Sequence, residues 1–349
     1  MHRKKTWLVA SAFVSLAGLP LTASAQVPGQ RLARNAVAIE AVGLTVSDMD
    51  RSLQFYTSVL TFVKESDQEL LGPAEEALTG VFGSRARVVR LRLGQEHLIL
   101  TEYIAASMPG RPAPVDSRSN DSWFQHVAII VSDMDSAYRR LRSAKVRSAS
   151  TGPQLLPITI PNAAGIRAFY FRDPDGHPLE ILQFPLDKGD PKWHRPNQAL
   201  FLGIDHTAIV VGQTGRSLAF YRDLLGLRVA GESHNFGTEQ EHLNNVEGAD
   251  LHITGLRAPD GPGVEFLEYL TPTDGRPYPG DERSDDLVHW ETTIRVGDLA
   301  ALMPALDSAG APRLSRILVS DTEGNLGFAH GIVIRDPDGH AVRLIDRPN

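Results

Sequence analysis

The chain contains no cysteine. That excludes disulfides, thiolate nucleophiles and zinc–thiolate sites, so any bound metal must be held by imidazole, carboxylate or main-chain oxygen. A glycine-rich phosphate loop, a Gly-x-Ser-x-Gly elbow and a His-Glu-x-x-His helix are also missing, which removes three common routes to phosphoryl transfer, acyl transfer and zinc proteolysis. No signature of an organic cofactor is present. Positive charge is in short supply, with 35 Lys and Arg against 42 Asp and Glu. The basic residues are scattered and do not interleave with aromatics, which argues against nucleic acid as a partner.

Long apolar runs are confined to the start. Arg3, Lys4 and Lys5, the apolar stretch Trp7 to Leu21 and the triplet Ala23-Ser-Ala25 predict a secretory signal over residues 1–25. Ser11, Ser15, Gly18 and Pro20 interrupt the apolar stretch and favour cleavage over a membrane anchor. Cleavage takes the net charge from -7 to -10. The expected product is periplasmic or secreted, without stable membrane insertion. The 349 residues of the full chain allow two ordinary domains.

What the chain does have is repetition. His206-Thr-Ala-Ile-Val-Val211 is a β-branched strand running into the short amphipathic helix Arg216-Ser-Leu-Ala-Phe-Tyr221. Related units open near Ile39, Phe124 and Val288. Arg51-Ser-Leu-Gln-Phe-Tyr56 returns 165 residues later as Arg216-Ser-Leu-Ala-Phe-Tyr221, and Gly110-Arg-Pro112 and Ser119-Asn-Asp121 return at that offset as Gly275-Arg-Pro277 and Ser284-Asp-Asp286. Asp173-Pro-Asp-Gly-His177 recurs as Asp336-Pro-Asp-Gly-His340, offset by 163. Matches in register predict a tandem duplication in which each half holds two modules. The expected halves are residues 38–185 and 203–346, joined by a polar linker at 186–202 that carries Trp193. Pairing modules within each half would bury their apolar sheet faces and leave a cleft for a small molecule.

With His126-Val-Ala-Ile-Ile-Val131, the His206 strand and its helix, and the two Asp-Pro-Asp-Gly-His turns in view, the chain resembles the vicinal oxygen chelate superfamily. That superfamily includes glyoxalase I, fosfomycin and bleomycin resistance proteins and extradiol dioxygenases. The resemblance covers residues 38 to 346. It implies an α+β fold of four βαβββ modules paired into two domains with curled sheets. It also implies a divalent metal held by residues on the first and last strands of paired modules, binding neighbouring oxygens of the substrate.

Aligning the first strands puts Ala41, His126, His206 and Glu291 at one position, and the last strands put Ile99, Glu180, Glu265 and Arg343 at the other. Copies two and three therefore carry a His–Glu pair, with spacings of 54 and 59 residues. Pairing within halves places His206, Glu265 and Glu291 in one C-terminal cleft as ligands for Fe, Mn, Zn or Ni. His289 is an alternate ligand or general acid/base there, and His126 and Glu180 form a lesser N-terminal site. Arg343 offers a competing outcome, since it can pair with Glu265 or Glu291 and take the place of a metal. A further arrangement, with copies two and three facing each other, would assemble His126, Glu180, His206 and Glu265, but the duplication and the linker favour self-contained halves. His177 and His340 are read as turn residues, and Gly231 to His242 as a polar rim over the cleft. The expected activity is that of a metal-dependent lyase, isomerase or ring-cleaving dioxygenase on a small oxygen-chelating substrate. A non-catalytic small-molecule-binding protein is the alternative, and monomer and homodimer are both open.

Overall fold

A computed structural model describes residues 36–105, 110–196, 199–321, 324 and 326–347. The expected signal over residues 1–25 lies outside these described residues.

The first module is β1 (Ala36–Thr45), α1 (Met49–Gln54), β2 (Val63–Leu71), α2 (Pro73–Thr79), β3 (Arg85–Leu93) and β4 (Glu96–Ala105). The second is β5 (Gln125–Val131), α3 (Met134–Ser143), two short strands β6 (Arg147–Ser148) and β7 (Gln154–Leu155), then β8 (Arg167–Arg172) and β9 (Pro178–Gln183). The third holds β10 (Phe201–Val210), α4 (Thr214–Leu218), β11 (Arg228–Phe236), α5 (Thr238–Asn244), β12 (Asp250–Arg257) and β13 (Gly263–Thr271). The fourth holds β14 (Trp290–Val296), α6 (Leu299–Ser308), β15 (Val319–Ser320), β16 (His330–Arg335) and β17 (Ala341–Asp346). Asp48, Asp133 and Asp298 accept backbone N–H bonds at the starts of α1, α3 and α6, satisfying donors that have no partner inside the helix. None of these helices is long and apolar enough to cross a membrane.

The modules do not pair within halves. One sheet runs β15-β16-β17-β14-β1-β4-β3-β2 and so joins modules one and four; the other runs β11-β12-β13-β10-β5-β9-β8-β6 and joins modules two and three. The joins are antiparallel first strands, β1 on β14 and β5 on β10. Within each module the first and last strands are parallel neighbours, which makes both sheets mixed. The expected halves survive in another form. Tyr56, Met49 and Leu60 of module one pack with Met134, Leu141 and Phe169 of module two in one apolar core, and modules three and four share a second. Each core is thus drawn mainly from one half, while neither half owns a complete sheet.

The repeated motifs are the fastenings of this arrangement. Asp173 accepts the backbone N–H groups of Asp175, Gly176 and His177 through Oδ1, and the Tyr56 hydroxyl at 3.1 Å through Oδ2. Asp336 does the same with Asp338, Gly339, His340 and Tyr221. His177 and His340 reach the carbonyls of Leu287 and Val210, as turn residues rather than ligands. The Gly-Arg-Pro loops act within the sheets. Arg111 forks onto the buried Asp286, and Arg276 onto the buried Asp121. A side chain at Gly110 would sit 1.7 Å from the Asp285 carbonyl, and one at Gly275 1.9 Å from that of Asn120, so only glycine fits. In the linker, Trp193 is buried against Ile130 and Leu182.

Candidate metal centre

The register of the joined strands builds the site. Across β5 and β10, His126 pairs with Ala208 and His206 with Ala128. Glu265 stands beside Ala208 on β13, and Glu180 beside Ala128 on β9. Two imidazoles and two carboxylates therefore converge about an approximate twofold axis. Glu180 Oε2 is 3.2 Å from His126 Nε2 and 3.8 Å from His206 Nε2, and Glu265 Oε2 is 3.5 Å from His206 Nε2. Among the described residues, His126, Glu180 and His206 form the one set of three whose ligand atoms all lie within 4.8 Å of one another.

These residues fit a divalent ion. All three are buried, yet both ring nitrogens of His126 and Nε2 of His206 lack a hydrogen-bond partner. The Glu180 contacts are close but do not have hydrogen-bond geometry. Buried polar atoms are ordinarily satisfied, and a cation between the rings would satisfy one nitrogen of each. Nitrogen and oxygen donors of this kind suit Fe, Mn, Zn or Ni.

The surroundings orient the donors. Burial works against charge on His206, but Glu265, Asp205 and Glu180 outweigh it and lift the imidazolium to about 9. Burial raises the Glu265 carboxyl above its ordinary range. Asp205 accepts from His206 Nδ1 at 3.0 Å and is gripped by Arg257 at 2.8 and 2.9 Å. Sequence reasoning missed this pair, because neighbouring strand residues normally point to opposite faces. The register shifts between Ile204 and His206, and this bulge turns Asp205 to the same side. The cluster lies against a cavity of about 560 Å³ lined also by Tyr170, Leu182, Ser233, Asn235, Gln240 and Arg257. The stretch Gly231 to His242 is not a loop. Most of it lies in β11 and α5, which wall this cavity.

The expected C-terminal set is not assembled. His206 and Glu265 are in one sheet, while Glu291 and His289 are in the other. There Arg343 donates through Nε to Glu291 at 2.6 Å, as the competing outcome allowed. His289 is not in the metal centre. Its Nδ1 meets Glu282 at 2.6 Å and its Nε2 meets Glu291 at 3.0 Å. Despite the opposing effect of burial, these carboxylates raise His289 to about 9. Burial likewise opposes charge on Glu291, but Arg343 and His289 lower it to about 2. His289 therefore adds stability that is complete below its ordinary 6.5 and lost as pH rises through about 9. The Glu291 contribution is complete above 4.5 and lost as pH falls through about 2. His289→Gln is expected to lower the melting temperature most between pH 4.5 and 6.5, with the gap to wild type narrowing by pH 9.5. A gap that widens with alkalinity would contradict this assignment.

A mixed-sheet fold of four βαβββ modules, with His and Glu facing each other across two of them, defines a class of proteins. The model of the Glyoxalase/Bleomycin resistance protein/Dioxygenase superfamily matches residues 38–181 and 203–344, and the chain belongs to that superfamily. It is 34% identical over 161 residues to a 2-epi-5-epi-valiolone epimerase from an Actinomyces species, a match covering 43% of this chain and 81% of the relative. Glyoxalase I from Zea mays superposes with a TM-score of 0.58 at 17% identity, covering 88% of this chain and 92% of that one. A putative dioxygenase from Bacillus subtilis gives 0.55 at 14%, covering 91% and 87%. The two solved structures bear on the fold alone.

Proposed function

We propose that this protein is an exported, divalent-metal-dependent enzyme that moves a proton at the carbon beside a carbonyl of a small, oxygen-rich substrate. The reaction is of isomerase or epimerase type. The observation that carries the proposal is the convergence of His126, Glu180, His206 and Glu265 beside one cavity. In this reading the leader at residues 1–25 directs export.

His126, Glu180 and His206, with Glu265 alongside, would hold the ion. When bound, it supplies the positive charge that favours an oxyanion on the substrate. Glu265 has the most open side chain of the four, 25% exposed, and it lines the cavity, where it could take a proton from carbon and return it. Asp205, fixed by Arg257, keeps Nδ1 of His206 engaged and leaves Nε2 facing the centre. The similarity to an epimerase supports the reading, because inverting a stereocentre beside a carbonyl requires removing and replacing such a proton.

Metal-loaded protein is expected to exchange the carbon-bound proton of an α-hydroxy ketone with deuterated solvent, followed by NMR. Glu265→Gln should lower that rate by about 10²–10⁴. Metal retention with unchanged exchange would remove Glu265 from this role. A second reading follows from the tight set alone, since two histidines and one carboxylate are also the ligands of non-haem iron oxygenases. Oxygen uptake with a catechol, dependent on Fe(II), would favour ring cleavage. Stoichiometric ligand binding with neither exchange nor uptake would leave a binding protein.

A further inference from the structure

One wall of the cavity carries polar groups that the metal centre does not use. Ser233 Oγ donates to Asn235 Oδ1, Asn235 Nδ2 to Gln240 Oε1 at 2.9 Å, Gln240 Nε2 to Asn244 Oδ1, and Asn244 Nδ2 to the Tyr269 hydroxyl at 2.7 Å. Asn235, Gln240 and Asn244 are buried, and Ser233, Asn235 and Gln240 line the cavity. Each primary amide has two N–H donors, and this chain of bonds uses one from each. The cavity is lined also by the apolar Leu156, Ala163, Ile166 and Leu182.

The duplication supplies an internal control. Asn235 pairs with Leu251 in its sheet as Leu70 pairs with Ala86 in the other, and α5 and α2 correspond at the same offset of 165. The positions of Asn235, Gln240 and Asn244 are thus Leu70, Glu75 and Thr79 in the copy whose metal position is filled by the Arg343–Glu291 pair. The fold does not require the amide ladder. It accompanies the metal centre, although burying three amides brings a desolvation cost that an apolar wall would avoid.

We infer that this ladder is a recognition wall for substrate hydroxyl or carbonyl oxygens. The substrate class is then a small polyhydroxylated ketone, sugar-like or carbocyclic, with one oxygen-rich edge for the ladder and a hydrocarbon face for Leu156 and Ile166. This deepens the proposed function and rests on it for the metal-bound carbonyl.

The test uses two cyclic ketones with the same carbonyl–hydroxyl pair: 2-hydroxycyclohexanone, and the pentahydroxylated cyclohexanone myo-2-inosose. Each is titrated into Ni(II)-loaded wild-type protein by calorimetry or NMR, with metal content measured on the same samples. The inosose should bind about tenfold or more tightly, as unpaired buried donors acquire partners. Asn235→Leu, which installs the residue of the duplicate, should erase that preference while leaving metal content unchanged. Metal-loaded wild type that does not distinguish the ketones overturns the wall alone, as does a variant that loses both equally. Discrimination without bound metal keeps the wall and overturns the metal reading, and absence of both overturns both. Should Asn235→Leu fail to fold, the wild-type comparison decides.

Discussion

Glu180→Ala is expected to lose divalent metal with little harm to the fold. Glu180 is the carboxylate that approaches both imidazoles, at 3.2 and 3.8 Å. Without it, the centre keeps two histidines and Glu265, whose contact is with His206. Outer-shell substitutions alone weaken metal sites by about 10–100-fold, so loss of a direct ligand should exceed about 100-fold. The metal-free stability should move the other way or not at all. Burial of the Glu180 carboxylate opposes folding, its attraction to the His206 imidazolium offsets part of that cost, and alanine removes both. Thermal unfolding with and without Ni(II) separates the two effects. Wild type should gain melting temperature on loading, because a ligand that binds only the folded state stabilises it, while Glu180→Ala should show no gain. An equal gain in both would place the ion elsewhere.

Arg343→Met is expected to do the opposite: destabilise the chain and spare the metal. Arg343 is bound to Glu291, and its charge also acts on the buried Glu75, one of whose oxygens has no hydrogen-bond partner. Removing the guanidinium leaves two carboxylates in one apolar region with only His289 to offset them. Breaking a fully buried pair costs about 3–5 kcal/mol. The Arg343 side chain is 22% exposed, so a cost of about 2–3 kcal/mol is appropriate after discounting for solvent. In a chain of this size that corresponds to a fall of roughly 3–5 °C in melting temperature. Metal content should be unchanged, since Arg343 belongs to the sheet without the metal centre. A neutral or stabilising substitution would show that Arg343 does not balance those carboxylates.

The two substitutions also mark what could be read from the chain in advance. The alignment of Ala41, His126, His206 and Glu291 was legible because a duplicated module repeats its register, and the pairing of β1 with β14 mirrors that of β5 with β10. The acids at Glu180 and Glu265 were visible for the same reason, each at the same register of its module's last strand. What the residues did not reveal was which modules share a sheet. Gln-His-Val-Ala-Ile-Ile-Val in β5 is buried along its whole length, so no alternation identifies its partner. The sequence therefore places the His206 and Glu265 pair with Glu291 of its own half, whereas the strand register brings it beside His126 and Glu180. The stronger clue lay in the repeated loops. Gly110-Arg-Pro112 and Ser284-Asp-Asp286 lie in different halves of the sequence, yet Arg111 and Asp286 close on each other. Asp205 was hidden for a local reason, since only a bulge brings it beside His206.

The most direct test of the central claim is anomalous diffraction from crystals grown with Mn(II) or Zn(II), recorded at the absorption edge of the metal. A single strong peak between His126, Glu180 and His206, within bonding distance of each, is the predicted result. A peak beside Glu291 and His289, or none in a fully loaded crystal, would contradict it.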